Sequence, residues 1–426
     1  MKKIFLALLL YWICSSAFAE AIMVIVPTSM DDLLITRSGG TQEVEFTVSN
    51  NTSKTLTGLT IDPDFGIGSG VSTITVSASN CSSLAPAGTC TFTVQIQGNT
   101  SLPDHFFLSP RVCAFNNTIC SQPVKSNRPE VIVVRQVYVS NSAANTIAVC
   151  AIDTSTNQIV SCIDATDGTT TGDPLDAPLG LMMSSDGKLV YVANSGNGSI
   201  LLCTVDPVAN NGTFSNCSAT GITFLGPQDI ELNPTETFAY VADTSASNVV
   251  ACGVDPDSGE LTSPCFSTGS GVAFSGPTSI VFNTQGTLAY ITNSNSTVLV
   301  CTANVSTGVL SDCVSTGSGF TSPQGIDLNN GNNYAFVTNY LANPYQLSSC
   351  NIPTLSTGLF GTCTLSNQVI DNPFGLVLHP NGSFLYVTQP STNSIFRCNV
   401  SNGTLSSCAV SFTGGVLSSP TGIVLN

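Results

Sequence analysis

Apolar and polar positions alternate with a period of two through most of this chain, in short runs bounded by turn residues. AIMVIV, QEVEFTVSN, STITVSAS and CTFTVQIQ are such runs in its first quarter; NTIAVC, GSILLC and STVLVC come later. A period of two puts successive side chains on opposite faces of a strand. No stretch sustains a helical period. Ser, Thr, Asn, Gly and β-branched residues dominate, which suits strands and turns. The pattern predicts an all-β protein.

From residue 137 onward the alternation is itself repeated. An aromatic, two small or branched residues and a polar residue recur as YVSN at Tyr138, YVAN at Tyr191, YVAD at Tyr240, YITN at Tyr290, FVTN at Phe336 and YVTQ at Tyr386. The spacings are 53, 49, 50, 46 and 50 residues. Each beat precedes a run ending in cysteine (IAVC, ILLC, VVAC, VLVC, QLSSC, IFRC), then a turn and a second cysteine. Each beat after the first follows a proline-led run: PLGL at Pro178, PQDI at Pro227, PTSI at Pro277, PQGI at Pro323 and PFGL at Pro373. One unit therefore reads as four antiparallel strands in about 50 residues, the signature of a β-propeller blade. The first unit lacks its proline-led strand, and the segment Ser419–Asn426, SPTGIVLN, supplies that strand alone. Five intact blades and one composite blade, closed by the C-terminal strand, give an expected six. Closure of this kind leaves no unpaired edge at the seam.

The YVTN beats, the HPNG turn and the repeat length resemble the YVTN/NHL-type propellers of the lactonase-like superfamily. The resemblance covers residues 137–426. It implies architecture strongly and activity weakly, because such propellers host many functions.

The cysteines extend this picture. Cys150 and Cys162, Cys203 and Cys217, Cys252 and Cys265, Cys301 and Cys313, Cys350 and Cys363, and Cys398 and Cys408 each bracket a turn such as STG, DSG or SNG. Residues equidistant from a hairpin turn lie within disulfide reach. Each blade is thus expected to carry one bond between its third and fourth strands. The rival readings, metal or redox cysteines, require histidine or basic neighbours or CxxC spacing, and none accompanies the pairs.

The chain opens MKKIFLALLLYWICSSAFAEA, a secretory signal with cleavage expected after Ala19. Ile13 before Cys14 departs from a lipobox. No later apolar run is long enough to span a bilayer. The expected protein is exported, to the periplasm or beyond the cell, with sixteen cysteines left to pair.

Residues 20–125 do not repeat and read as a small immunoglobulin-like β-sandwich. The phrase NCSSLAPAGTCTFTVQI, from Asn80 to Ile96, resembles the ASH-like or choice-of-anchor bacterial sandwich modules. That resemblance implies the bridges Cys81–Cys90 and Cys113–Cys120. Residues 126–136 are expected to be a linker between the sandwich and the propeller at 137–426.

Acidic residues outnumber basic ones by 26 to 10, for a formal charge of −16. Such a surface disfavours nucleic acid and anionic membrane. In residues 137–426 the basic residues are Lys188, in an SSDGK turn, and Arg397, beside a staple cysteine. Neither is placed to cradle a phosphorylated sugar lactone. His379 lies in the HPNGS turn where other units have Ser184, Asn233 or Asn283, so a turn role is expected; His105 has no evident partner. Asn141, Asn194, Asp243, Asn293, Asn339 and Gln389 end the six beats and are expected to cap turns. Asn-x-Ser/Thr sequons, as at Asn197, Asn304 and Asn381, follow from the composition.

Three acids break the apolar pattern of the innermost strands: Asp229 and Glu231 in PQDIEL, and Asp327 in PQGIDL. They could ligate Ca2+ through oxygen, or be hydrogen-bonded acids between blades. Two functions therefore stand. One is a non-enzymatic, disulfide-stapled scaffold, without a cofactor, that binds a protein or glycan partner through its loop faces. The other is a calcium-dependent lactonase or esterase with the metal at the channel mouth.

Overall fold

A computed structural model describes residues 23–28, 33–37, 41–63, 74–97, 105–115, 117–124, 127–153, 156–166, 175–205, 212–271, 273–341 and 346–425. The signal segment 1–19 lies outside them. Among the described residues no helix is long and apolar enough to cross a membrane. The chain divides into two compact units: Met1–Leu33 with Glu43–Gln95 and Phe107–Glu130, and Leu34–Gln42 with Ile96–Phe106 and Val131–Asn426.

The first unit is built on a four-stranded sheet in the order Met23–Pro27, Thr41–Asn50, Thr89–Gln97, Ile74–Ser79 and a three-stranded sheet in the order Ile119–Ser121, Arg111–Ala114, Thr60–Asp62. Alternation fills its core: Phe46 and Phe92 are fully buried and stack at 5.3 Å. Cys81–Cys90 and Cys113–Cys120 are bonded. The expected linker departs from expectation. Glu130–Val134 is a strand, set between Leu33–Arg37 and His105–Phe107. Its EVIVV run is apolar enough to be held by pairing instead of remaining free in water.

Among the described residues the second unit contains six four-stranded antiparallel sheets. The fourth is representative: Pro277–Phe282, Leu288–Asn293, Thr297–Ala303 and Leu310–Thr316, in that order from innermost to outermost. In the first sheet the innermost place belongs to Pro420–Leu425, antiparallel to Gln136–Asn141. A buried cluster fills the space between each pair of successive sheets. Tyr240 and Val249 of the third sheet, for example, pack with Ile280, Ile291 and Cys313 of the fourth. Another cluster joins the sixth sheet, through Tyr386 and Ile395, to Val137, Val139 and Ile423 of the first.

The repeated beat does three jobs. Its aromatic is fully buried in every sheet. The tyrosine hydroxyl then donates to a turn carbonyl of the following sheet: Tyr138 to Gly212 at 2.8 Å, Tyr191 to Gly259 at 2.6 Å, Tyr386 to Asn157 at 2.9 Å. Where Phe336 offers no hydroxyl, Ser349 donates to the Gly403 carbonyl instead. In five sheets the beat's last residue caps the loop two residues before the innermost strand of its own sheet, while Gln389 in the sixth donates to Ser391 Oγ and accepts from Ser394 Oγ. Asn194 accepts from the Asp176 amide, Asp243 from Leu225, Asn293 from Ser275 and Asn339 from Thr321. Asn141 does the same for Ser418, which stands two residues before Pro420. The C-terminal strand thus occupies the first sheet as the other proline-led strands occupy theirs.

All six outer cysteine pairs are bonded, with Cα separations of 4.0–4.3 Å. In three sheets the cysteines face each other in register, as Cys150 faces Cys162. In the other three the ladder slips at the cysteine. Asp312 and Ser407, each just before its cysteine, turn left-handed with φ of 52° and 51°. That single inverted residue is a bulge, which re-aims the cysteine without breaking the pair.

Replacing Cys301 and Cys313 together by alanine is expected to lower the unfolding free energy by about 3 kcal/mol, read from urea denaturation. Gly422→Ala is expected to remove about 1–3 kcal/mol, because the new Cβ would stand 2.0 Å from the Leu179 carbonyl oxygen. A Gly422→Ala protein as stable as the parent would contradict that packing.

Candidate channel site

The innermost strands of all six sheets line one cavity of about 190 Å3. It is narrow because neighbouring inner strands touch. At Gly180, Gly325, Gly375 and Gly422 a Cβ would meet the next strand's backbone at 2.0–2.9 Å. Hydroxyls at the third beat position close two of the same seams, and Thr278, second in its proline-led strand, closes another. Thr338 donates to the Phe374 carbonyl at 2.7 Å, Thr388 to the Thr421 carbonyl at 2.6 Å and Thr278 to the Pro323 carbonyl at 2.7 Å. Sequence reasoning missed these hydroxyls. For Thr338 and Thr388 the signal was the third letter of each beat, Ser, Ala, Ala, Thr, Thr, Thr.

The glycine pattern fails at Asp229 and Ser279, and there the side chains form the seam. Asp229 Oδ2 accepts from Ser279 Oγ at 2.7 Å and from the Ile280 amide at 3.1 Å; Oδ1 accepts from the Ile230 amide at 3.0 Å. Asp327 works alike. Its Oδ2 accepts from the Leu378 amide of the next sheet and its Oδ1 from the Leu328 amide, both at 2.7 Å. Glu231 also lines the cavity, half-buried, and no hydrogen-bond partner for it is found among the described residues. Near the proline-led ends, Gln228 donates to Gln324 from two sheets away.

Burial dominates the electrostatics of these acids. It pushes Asp229 and Asp327 up to about 6, against the lowering effect of their amide donors. Glu231 is raised well above the usual carboxylate range, by burial first and then by the charges of Asp229 and Asp327. The structure brings the three predicted acids to one cavity. Among the described residues, however, no group of three or more His, Cys, Asp or Glu side chains is arranged to hold a metal ion. Both oxygens of Asp229 and of Asp327 already accept protein hydrogens, which opposes the oxygen-rich shell that calcium needs.

The other candidates lie elsewhere. His379 is buried in its turn, where Nδ1 accepts from the Asn381 amide at 3.2 Å and the ring meets Phe384 edge-on. Lys188 pairs with Asp186 at 2.8 Å. Arg397 lies 4.7 Å over the Phe384 ring and donates to the Thr156 carbonyl. None of these three lines the cavity. His105 is in a short strand, and its side chain is outside what is described.

Comparison with known proteins gives the class. Residues 108–273 match the family described as lactonase, 7-bladed β-propeller. A chain of the nidogen/laminin complex superposes with a TM-score of 0.53 at 14% identity, covering 68% of this chain and 98% of that one. A protein of Bacteroides uniformis, solved as a candidate 6-phosphogluconolactonase, superposes with a TM-score of 0.50 at 13% identity, over 69% of this chain and 99% of its own. No curated protein matches the chain at a significant level. These likenesses show a β-propeller fold, part of which is similar to the lactonase family, and they go no further than fold, since the solved structures named here include the nidogen/laminin complex as well as a candidate enzyme.

A carboxyl raised by folding binds its proton more tightly in the native state, so its stabilising effect is present at low pH and is lost as pH rises. Asp229 and Asp327, raised from 3.8 to about 6, are expected to make stability fall between about pH 4 and pH 6. Glu231 continues that fall at higher pH. Glu231→Gln is therefore expected to be more stable than the parent near pH 8, with the difference closing below about pH 4. Denaturant midpoints across pH would show this, and a variant weaker than the parent at pH 8 would contradict it.

Proposed function

We propose that the chain is an exported six-bladed propeller, closed by its C-terminal strand and preceded by an immunoglobulin-like sandwich of the ASH type, and that it binds a protein or glycan partner through its loop faces without catalysis. The observation that carries this reading is the use of Asp229 and Asp327. Their oxygens tie neighbouring inner strands together through the Ile280 and Leu378 amides. They serve as structural acids between sheets, and the function is left to the loops. The six inner strands around one cavity support six blades, although the matched family is described with seven. Eight disulfides support export to an oxidising compartment, the periplasm or the exterior.

The second reading is a calcium-dependent lactonase or esterase. It is favoured by the family match and by Glu231, the channel acid without a hydrogen-bond partner among the described residues. Asp229, Glu231 and Asp327 would be its ligands. The two readings separate on calcium titration calorimetry combined with a hydrolysis screen on neutral lactones and short esters. The scaffold reading expects neither stoichiometric calcium nor turnover. Turnover that disappears in Glu231→Gln, together with calcium binding that disappears in Asp229→Asn, would replace it with the enzyme.

A further inference from the structure

The channel cavity has two unlike levels. Third and fifth residues of a strand share a face, and the inner strands follow that rule. Their third residues are mostly glycine and close the seams. Their fifth residues are Met182, Glu231, Val281, Asp327, Val377 and Val424, one from each sheet, and all six line the cavity half-buried. Four of the six are apolar. Asp327 is committed to the Leu328 and Leu378 amides. Glu231 is the acid of this ring without a hydrogen-bond partner among the described residues. Its carboxyl group stands in an otherwise apolar collar.

A second feature marks the same cavity. The second residue of the proline-led strand is Leu179, Gln228, Thr278, Gln324 or Thr421 in five sheets and Phe374 in the sixth. Phe374 lines the cavity. Tyr340 stands edge-on to it, with ring centroids 5.7 Å apart. Tyr340 follows a beat, where the other sheets have Ser142, Ser195, Thr244, Ser294 or Pro390. The blade repeat demands neither the aromatic pair nor the free carboxyl group, because the other sheets do without them. Among the described residues the lining holds three carboxyls and no Lys, Arg or His.

We infer that the channel binds a small organic ammonium ion, with Glu231 as its counter-ion, the collar around its hydrocarbon body and Phe374 at its far end. Charge selects a cation, because carboxyls without a neighbouring base make the local field negative. The collar selects an organic one. A bare metal cation demands a shell of oxygens, whereas the ring around Glu231 offers the Met182 thioether and the Val281, Val377 and Val424 side chains. A primary ammonium has three donors to satisfy, and its hydrocarbon gains by leaving water. Size sets the limit. The cavity of about 190 Å3 is a little larger than the ~150 Å3 that accepts benzene. The levels of the second and fifth residues lie about 10 Å apart along a strand, which is the reach of a short amine from Glu231 to Phe374. A ring on the amine would meet Phe374 as aromatic pairs do. This site does not depend on what the loops bind.

The test is calorimetric titration of the full mature chain near neutral pH with 2-phenylethylamine, with its uncharged counterpart 2-phenylethanol, and with calcium chloride. The amine is expected to bind at one site with a dissociation constant on the order of a millimolar or tighter. The alcohol is expected to bind at least about tenfold more weakly. Glu231→Gln is expected to weaken the amine at least about tenfold and to leave the alcohol unchanged. Met182→Phe, which adds bulk to the collar, is expected to weaken both, with circular dichroism unchanged in either variant. Nα-acetyl-lysine methylamide identifies the source of the ammonium. Tighter binding than the amine assigns the site to a lysine side chain of a partner, and weaker binding assigns it to a free amine. No saturable binding of either cationic probe overturns the inference. So does an alcohol that binds as well as the amine, an amine affinity that survives Glu231→Gln, or calcium bound at Glu231 in the amine's place.

Discussion

The close approach of neighbouring inner strands is the constraint on which the second unit depends. Where glycine stands third in the proline-led strand, the next strand's backbone occupies the volume a side chain would need. A hydroxyl from the adjoining beat then reaches that strand's carbonyl. At Gly325 and Gly375 the two features occur together, and each hydroxyl gives a buried carbonyl its partner. The result is a hub too tight to be a roomy pocket. Acids placed there are desolvated, and their raised proton affinity follows from the glycines around them as much as from the acids themselves.

Away from the hub the same problem is solved by different chemistry. In three sheets the buried tyrosine reaches sideways to a turn carbonyl of the following sheet. The substitution at Phe336 is informative because the lost hydroxyl is replaced by Ser349 from another strand. What the fold requires is therefore a donor to that turn carbonyl, and the tyrosine is one way to supply it. Beyond the tyrosines, packing thins out, and the outermost strands are Ser/Thr-rich and half exposed. A disulfide takes over there, where a hydrophobic contact would have little area to bury.

The repeat and the staples were legible in the sequence because both are periodic. The beats at Tyr138 to Tyr386 mark second strands, and cysteines bracketing a turn mark hairpins. The bulges at Asp312 and Ser407 were not legible, because neither residue type announces a left-handed backbone as glycine would. The strand Glu130–Val134 was missed because the proline and charges just before it outweighed a short apolar run. The channel acids were half legible. Asp229, Glu231 and Asp327 stood out as breaks in an apolar pattern, and all three line the cavity. Nothing in PQDIEL or PQGIDL says that two of them would accept amides from the following sheet while the third would not. That depends on amides of Ile280 and Leu378, each about 50 residues further along the chain.

Charge and packing together divide the second unit into unlike regions. Asp186, Glu236 and Glu260 gather on the turns near Tyr191, close enough to disfavour ionisation of its hydroxyl after burial has done most of that work. The last two sheets have almost no charge to gather. Both regions rest on the same backbone repeat, so the difference cannot be a demand of the fold. Both the second sheet and the sixth have four strands, a buried beat tyrosine and a bonded cysteine pair. Surface charge is the property that the repeat leaves free to vary, and it varies by whole sheets. Surface chemistry can therefore differ between sheets that share one backbone plan.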